Sequence, residues 1–214
     1  YGPGVNGEVA TEETPFRGGR YKLDYVDSKY TAHRFVQKTA TKSEFPAVII
    51  CPTFMIGPND VSLGTGQMIV AICTEKLHFL SGGGKNFVYV RDVAQAAVNA
   101  LYQGRAGETY IAGHNNLLYS QYFELVGAVV KKPAPRIRLP NWMVLSAGMT
   151  SSAVASLLGF RPMLNYSQAK VSLDKQFYEP AKAVRELDMP QTDIRIAVQE
   201  AYDWLLREGY CPLA

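Results

Sequence analysis

The sequence is poor in cysteine and lacks any pattern of side chains that would bind a metal. It has three cysteines and no Cys-x-x-Cys, and its three histidines are isolated. The positions are Cys51, Cys73, Cys211, His33, His78 and His114. These absences argue against a disulfide framework and against a zinc site, and they indicate a reducing, cytoplasmic compartment.

A strong charge of one sign and long apolar runs are also missing. The net charge is +3 with 19% charged residues, and no basic stretch is interleaved with aromatic residues, so nucleic acid is not an expected partner. The basic group around Lys131 and Arg136 is interpreted as a solvated loop. No apolar run reaches membrane-spanning length; the run from Trp142 to Phe160 predicts a packed helix, and no membrane partner is expected.

Hydrophobic periodicity divides the 214 residues into an α/β part and a mostly helical part. Strands are predicted at about 47–51, 87–90 and 107–112, and helices at about 25–41, 67–76, 92–102, 120–131, 140–158, 179–187 and 193–208. The first strand is apolar on both faces, which is typical of a buried parallel strand. A helix, a short loop and such a strand form one step of a doubly wound sheet.

The pattern Tyr-x-x-x-Lys occurs at Tyr25/Lys29, Tyr166/Lys170 and Tyr178/Lys182. This spacing places a phenol and an ammonium about one helical turn apart, where the positive charge favours the phenolate. Such a pair can exchange a proton with an alcohol or a ketone. Lowering a tyrosine pKa from about 10 to about 7 needs about 4 kcal/mol. One charge at about 4 Å supplies that only at an effective dielectric of about 20, so a catalytic pair is expected in a partly dry cleft.

Flanking sequence must choose among the three matches, because a short pattern recurs by chance. The third match contains Pro180, which suits a first helical turn better than a helix interior. The second lies in a polar stretch with no strand-like segment close by. Tyr25/Lys29 opens a long helical pattern that leads directly into a strand, and we take it as the candidate catalytic pair.

Three other segments lie where a predicted strand or helix begins or ends. Pro52–Asp60 follows the carboxyl end of the first strand, the edge at which open α/β sheets bind ligands. Ser81–Gly84 is glycine-rich, but a strand follows it, which favours a turn over a phosphate site. Asp92 is predicted to cap the helix that follows Phe87–Val90.

Four motifs in order resemble the extended short-chain dehydrogenases/reductases, which include the NAD-dependent epimerases/dehydratases. They are Tyr25–Lys29, Cys51–Pro58, Asn86–Ala94 and a C-terminal signature over Glu179–Leu187 and Trp204–Tyr210. The resemblance covers essentially the whole chain. Within the superfamily, the chain is most similar to the dihydroflavonol-reductase-like branch.

The resemblance implies part of a Rossmann-like parallel sheet with a smaller, mostly helical substrate-binding lobe, and NAD or NADP as cofactor. Tyr25 would be the general acid/base, and Lys29 would bind the nicotinamide ribose and lower the tyrosine's pKa. Pro52 and Thr53 would also contact the cofactor. The substrate pocket would include Phe54, Met55, Asn59 and Lys85. A small-molecule substrate and a homodimer follow from the same resemblance.

The chain departs from the family's pattern in two places. The Gly-rich dinucleotide fingerprint has no match, and the catalytic Ser or Thr is expected just upstream of Tyr1. We therefore expect the C-terminal portion of an enzyme, inactive by itself, with the cofactor domain at residues 1–62 and 87–105 and the substrate lobe at 63–86 and 106–214.

The residue at position 85 is a further departure from the family's pattern. Lys85 stands where nucleotide-sugar epimerases typically carry an arginine that holds the diphosphate. Lysine is a point charge without the guanidinium fork.

Three functions follow from the residues and the resemblance together. The first is an NAD(P)-dependent oxidoreductase that interconverts a carbonyl and an alcohol on a small organic substrate. The second is an epimerase or dehydratase of nucleotide sugars. The third is a non-catalytic relative that binds the dinucleotide, against which the intact Tyr25/Lys29 pair argues.

Overall fold

A computed structural model describes residues 8–42, 45–158 and 165–212. The helices in these ranges are α1 Asp24–Lys42, α2 Gln67–Cys73, α3 Val90–Gln103, α4 Tyr119–Val130, α5 Asn141–Leu158, α6 Tyr166–Leu173, α7 Ala181–Glu186 and α8 Ile194–Arg207. The strands are β1 Ile49–Pro52, β2 Phe54–Ile56, β3 Phe79–Leu80, β4 Gly84–Tyr89, β5 Thr109–Ala112, β6 Asn115–Leu118, β7 Ile137–Arg138 and β8 Lys175–Gln176. A short 3₁₀ helix, Gly18–Tyr21, precedes α1.

Strand β4 is the centre of the larger sheet. β2 runs parallel to its second half, and β8 runs parallel to its first residues. β6 runs antiparallel beside it, with Gly84 opposite Leu118. The parallel pairs confirm the α/β fold class that the sequence predicted, whereas β6 is an antiparallel strand that it did not predict.

Strand β1 pairs in parallel with β5, from Ile49 opposite Thr109 to Pro52 opposite Ala112. Thr53 then donates its backbone N–H to the carbonyl of Ala112 at 3.0 Å, so the β1–β2 junction stays attached to β5. The predicted strand is therefore present and parallel. It is half-buried rather than buried on both faces, because β5 is its one strand neighbour among the described residues.

Two apolar clusters lie on opposite faces of β4. Phe87 stacks on Tyr122 of α4 with ring centroids 4.0 Å apart, in a cluster that α2, α4 and α8 complete. Val88 belongs to the other cluster, with Tyr110 of β5 and Leu187. Because successive side chains of a strand alternate between faces, neighbouring residues of β4 bind the two layers together.

Two parts of the sequence-based assignment are corrected. Asp92 does not cap α3, whose N-cap is Tyr89. Its buried carboxylate instead accepts hydrogen bonds from the N–H and the Oγ1–H of Thr192, each at 2.8 Å, and so holds the segment before α8. Helix α6 was not predicted; its start is a capping box in which Asn165 accepts from the N–H of Gln168.

No helix in the described ranges combines the length and the apolar character that a membrane crossing requires. The predicted division into two domains stays a prediction. β4 runs across its boundary at residues 86 and 87, and β5 pairs with β1 from the other side of the division.

Candidate functional site

A cavity of about 570 Å³ lies between the start of α1, the β1–β2 junction and the first half of β4. We call it the Tyr25 cavity. Its lining residues are Tyr25, Cys51, Pro52, Thr53, Phe54, Gly64, Thr65, Lys85, Asn86, Ile111, Gln176 and Tyr178. The β1–β2 junction is the carboxyl end of β1, the sheet edge that ligands occupy in open α/β folds.

Tyr25 lies in the first turn of α1, and Lys29 follows one turn later. The Lys29 Nζ is 5.5 Å from the centroid of the Tyr25 ring. Tyr25 also lines a neighbouring groove of about 740 Å³, which Lys29, Cys51 and Pro52 line as well; we call it the Lys29 groove. Tyr25 is 72% exposed, so its described surroundings do not supply the partly dry cleft that the sequence led us to expect.

The geometry within the pair does not separate Tyr25/Lys29 from the other two matches. Lys170 Nζ is 4.4 Å from the Tyr166 ring centroid, which is closer than in the candidate pair. Lys182 is engaged elsewhere, in a 2.6 Å ion pair with Glu108. What distinguishes Tyr25 is its location at the junction of the Tyr25 cavity and the Lys29 groove.

Asn86 organises the floor of the cavity and is 1% exposed. Its Oδ1 accepts from the Thr53 hydroxyl at 2.8 Å and from the His114 N–H at 2.9 Å. Its Nδ2 donates to the carbonyls of His114 and Tyr178 and to Oδ1 of Asn116. Because the hydroxyl hydrogen of Thr53 is used inside the protein, Thr53 presents its remaining lone pairs and its backbone to the cavity.

Lys85 is the one cation among the lining residues, and no carboxylate is among them. Its Nζ donates to Oε1 of Gln176 at 2.6 Å and lies 5.1 Å from the Phe54 ring centroid. Burial lowers the pKa of Lys85 to about 8, because a low-dielectric environment disfavours the charged form. An anionic or strongly polarised group in the cavity would stabilise this ammonium.

The loop between β2 and α2 forms one wall of the cavity through Gly64 and Thr65. The Asp60 carboxylate accepts from the N–H of Gly64 at 2.9 Å, from the N–H of Gly66 at 2.7 Å and from the Thr65 hydroxyl at 3.2 Å. Burial raises the pKa of Asp60, but these hydrogen bonds outweigh it and hold the pKa below its usual value. Asn59, next to Asp60, has a left-handed backbone with φ of 68°, a conformation that Asn adopts more readily than most residues.

The cavity and the groove together contain most residues that the sequence assigned to the site: Tyr25, Lys29, Pro52, Thr53, Phe54 and Lys85. Met55 and Asn59 line neither. Met55 follows Phe54 along β2, so its side chain points to the opposite face of the strand. Asn59 lines a separate cleft with Arg91 and Glu200. The functional roles of all these residues remain predictions.

Several lining residues were not assigned to the site from the sequence, among them Thr65, Gln176 and Tyr178. They come from segments far apart in the chain, so no local pattern groups them. Burial raises the pKa of Tyr178 to about 12 and that of Cys51 to about 11. Both groups therefore stay protonated near neutral pH, which makes Tyr178 a hydrogen-bond donor and Cys51 a poor nucleophile.

The site residues fit one end of a nicotinamide dinucleotide. The Lys29 ammonium and the Tyr25 hydroxyl are donors beside apolar Ile49, Ile50 and Pro52 in the Lys29 groove, which suits a ribose and a planar ring. The sequence has no Gly-rich fingerprint for the diphosphate.

Across the described residues, no group of three or more His, Cys, Asp or Glu side chains could hold a metal ion.

A family model provides the first comparison with known proteins. The model described as "NAD dependent epimerase/dehydratase family" matches residues 1–113, which is more than half of the chain. The match includes the whole Tyr25–Lys29 motif, the β1–β2 junction, Lys85 and Asn86.

Individual relatives agree with that match. A curated protein from Synechocystis, named "Putative dihydroflavonol 4-reductase", is 29% identical over 214 residues, covering 97% of this chain and 62% of its own length. The crystal structure of gox2253 has a TM-score of 0.84 and 28% identity, covering 99% of this chain and 64% of that one. The dTDP-glucose 4,6-dehydratase of Bacillus anthracis, solved in complex with NAD, shares the fold with a TM-score of 0.68 and 17% identity, covering 96% of this chain and 58% of that one. The chain thus spans less than two thirds of the length of these proteins.

Proposed function

The chain belongs to the NAD dependent epimerase/dehydratase family, and we propose that it carries the proton-transfer pair and substrate cavity of an NAD(P)-dependent oxidoreductase. The proposed reaction interconverts a carbonyl and an alcohol on a small organic molecule. Cytoplasmic location, homodimer formation and the choice between NAD and NADP belong to the same proposal.

The observation that carries the proposal is the location of Tyr25. Its side chain lines the Tyr25 cavity on one side and the Lys29 groove on the other. A substrate in the cavity and a nicotinamide in the groove would both lie beside the phenol. That is the arrangement a proton transfer coupled to hydride transfer requires, because both partners must be within contact of the reacting carbon and its oxygen.

The chain's own residues would act as follows in the direction of reduction. Tyr25 donates its hydroxyl proton to the substrate oxygen as that oxygen gains negative charge. Lys29, one turn away, stabilises the phenolate that remains. Tyr178, which keeps its proton near neutral pH, is placed to donate a hydrogen bond within the same cavity. The nicotinamide, when bound, supplies the hydride.

Exposure of Tyr25 sets a condition on this mechanism. A phenol that is 72% exposed is stabilised little by a nearby ammonium, since water screens the charge. A ring stacked in the Lys29 groove would exclude that water and, in its oxidised form, add a second positive charge. We therefore propose that the pair is active only in the cofactor complex of the full-length protein.

A second candidate is the epimerisation or dehydration of a nucleotide sugar. The observation that favours it is Lys85, a half-buried cation with no acidic partner among the described lining residues. A diphosphate in the Tyr25 cavity would supply the missing negative charge. A neutral ketone would leave Lys85 with the Gln176 amide and the Phe54 ring and without any negative charge.

The test replaces Tyr25 by Phe in the full-length protein, with Tyr166→Phe as the matched control, since Tyr166 also has a lysine four residues later. Turnover is followed by nicotinamide absorbance with a panel of ketones and aldehydes, and by product analysis with UDP- and dTDP-sugars. Loss of a general acid lowers kcat by about 10²–10⁴-fold. We expect that loss for Tyr25→Phe, with the affinity for NAD(H) changed less than about threefold, and near wild-type turnover for Tyr166→Phe.

Equal turnover of Tyr25→Phe and the wild type would remove Tyr25 from the mechanism. Turnover of nucleotide sugars without any turnover of simple carbonyls would select the second candidate. A full-length protein that binds NAD(H) but converts neither class would be the non-catalytic relative.

A further inference from the structure

A long segment of the helical lobe contains no acidic residue. Between Glu124 and Asp174 the sequence has no Asp and no Glu. Its basic residues are Lys131, Lys132, Arg136, Arg138, Arg161 and Lys170. This surplus exceeds the net charge of +3 of the whole chain, so the remaining sequence is acidic and the positive charge is concentrated here.

Helix α5, in the middle of this segment, has no charged residue and leaves apolar side chains in solvent. Trp142 is 70% exposed and Met149 is 58% exposed. They are two helical turns apart and therefore share a face. On another face, Gly148 packs against Ala169 of α6, where a Cβ would meet the Ala169 Cβ at 2.7 Å. α5 thus packs one side on α6 and presents an uncharged apolar side to water.

The two-residue strands β3 and β7, of which β7 lies just before α5 in the chain, add a second exposed apolar pair. Phe79 and Ile137 are partners in the β3–β7 register and are 49% and 60% exposed. Arg136 and Arg138 flank Ile137 along the chain, and neither has an acidic partner among the ion pairs of the described residues. Trp142 follows five residues after Ile137, so the two lie within about 18 Å of each other.

We propose that this surface, formed by Phe79, Arg136, Ile137, Arg138, Trp142 and Met149, docks the protein on an anionic lipid bilayer. Exposed aromatic and aliphatic side chains would enter the headgroup region, and the arginines would bind lipid phosphates and anionic headgroups. The protein would lie on the membrane, in agreement with the finding that no described helix can span one.

Charge is the reason for choosing a lipid surface over a second copy of the chain. In a symmetric dimer the same surface meets itself, which would oppose arginine to arginine without a carboxylate between them. An anionic bilayer matches both properties, since it offers negative charge and an apolar interior over an extended plane. The sequence-based expectation of no membrane partner rested on the length of apolar runs, and the basic group of this segment was interpreted as a solvated loop; the exposed apolar side chains beside the arginines are what the structure adds. The inference does not depend on the proposed catalytic function.

The test is flotation of the full-length protein with vesicles of phosphatidylcholine alone and of phosphatidylcholine with about 30% phosphatidylglycerol, in low salt and in about 0.5 M NaCl. We expect binding to the anionic vesicles and little to the neutral ones, with release by salt because screening weakens the arginine contacts. The double variants Arg136→Gln/Arg138→Gln and Trp142→Ser/Met149→Ser should each lower the partition coefficient by about tenfold or more.

The matched control is Leu101→Ser/Tyr102→Ser on α3. These side chains are 78% and 86% exposed, but the nearby Arg105 is already paired with Glu186. This control should bind vesicles like the wild type. Circular dichroism and the unfolding midpoint establish that every variant is folded.

The proposal is overturned if the wild type does not float with anionic vesicles, or if the control lowers binding as much as the surface variants do. Analytical ultracentrifugation gives a further outcome that overturns it. If the wild type self-associates without binding vesicles, and the surface variants no longer self-associate, the surface is an interface between protein chains. Lack of turnover in the wild type would reject the proposed function and leave the vesicle result unaffected.

Discussion

Lys85 is half-buried, with its ammonium beside neutral groups, and this determines how its charge responds to pH. In the unfolded chain its pKa is about 10.4, whereas burial lowers the pKa to about 8 in the folded chain. Between those values the unfolded chain keeps a proton that the folded chain has released. The contribution of Lys85 to the free energy of unfolding therefore rises with pH across this window, and below about pH 8 the buried ammonium lowers stability.

Replacing Lys85 by Met should remove this unfavourable charge. We expect the variant to be more stable than the wild type at pH 7 by about 1–3 kcal/mol, and this difference to shrink toward zero by about pH 10.5. Urea unfolding of both proteins at several pH values measures it.

Lys175→Met is the control, because Lys175 lies next to Gln176 in β8 but is exposed. Its stability difference from the wild type should not change between pH 7 and pH 10.5. Suppose instead that the free energy of unfolding of the wild type is equal to or higher than that of Lys85→Met at pH 7, and that the difference is the same at every pH. That result would show that Lys85 is not destabilising in the folded state.

Among the elements, the glycine run before β4 is explained by packing. Ser81 donates its hydroxyl to the carbonyl of Ser172 at 2.7 Å, at the end of α6. A Cβ on Gly83 would lie 2.4 Å from the same carbonyl oxygen and 2.5 Å from that of Asp174. The run lets the chain approach the backbone that follows α6. Gly84 already belongs to β4, and position 82 is a bend rather than the turn that the sequence favoured.

Substituting Gly83 by Ala should separate α6 and β8 from β4. Overpacking against a backbone carbonyl costs about 1–3 kcal/mol, and we expect a loss of that size in the free energy of unfolding measured in urea. Gly19→Ala is the matched control, since its Cβ would meet nothing closer than 3.8 Å; it should change stability by less than about 0.5 kcal/mol. Equal stability of the two variants would mean that the contact with α6 is absent in solution.

In the whole molecule, burial is uneven. Helices α4 and α8 contribute many fully buried side chains to the cluster on Phe87, whereas α1 contributes no buried residue over positions 24–40. Local opening is easiest where few apolar contacts must be broken. Over positions 24–40, the helix that carries Tyr25 and Lys29 is therefore held by fewer buried side chains than α3, α4 or α8.

Hydrogen exchange on residues 1–214 alone should report this difference. We expect the amides in the middle of α1 to exchange at least about 100-fold faster than those of α4 and α8, because their opening needs less free energy. Mass spectrometry of peptic fragments measures it, with α4 as the internal reference. Protection of α1 equal to that of α4 would contradict the peripheral position of α1.

The sequence by itself determined the family, the α/β class and most of the long helices, because these depend on local periodicity and on motifs whose residues are neighbours in the chain. It also favoured Tyr25/Lys29 over two equal patterns as the candidate catalytic pair, through the strand that follows, and that choice stays a prediction. Tertiary structure decided what those residues face. It placed Gln176 and Tyr178 beside Thr53, assigned the Asp92 carboxylate to Thr192 instead of a helix cap, and turned Met55 away from the cavity. The first two outcomes depend on contacts between segments about 100 to 125 residues apart, and no local pattern encodes such contacts. The direction of Met55 follows from the alternation of side chains along β2, once the register of that strand is set.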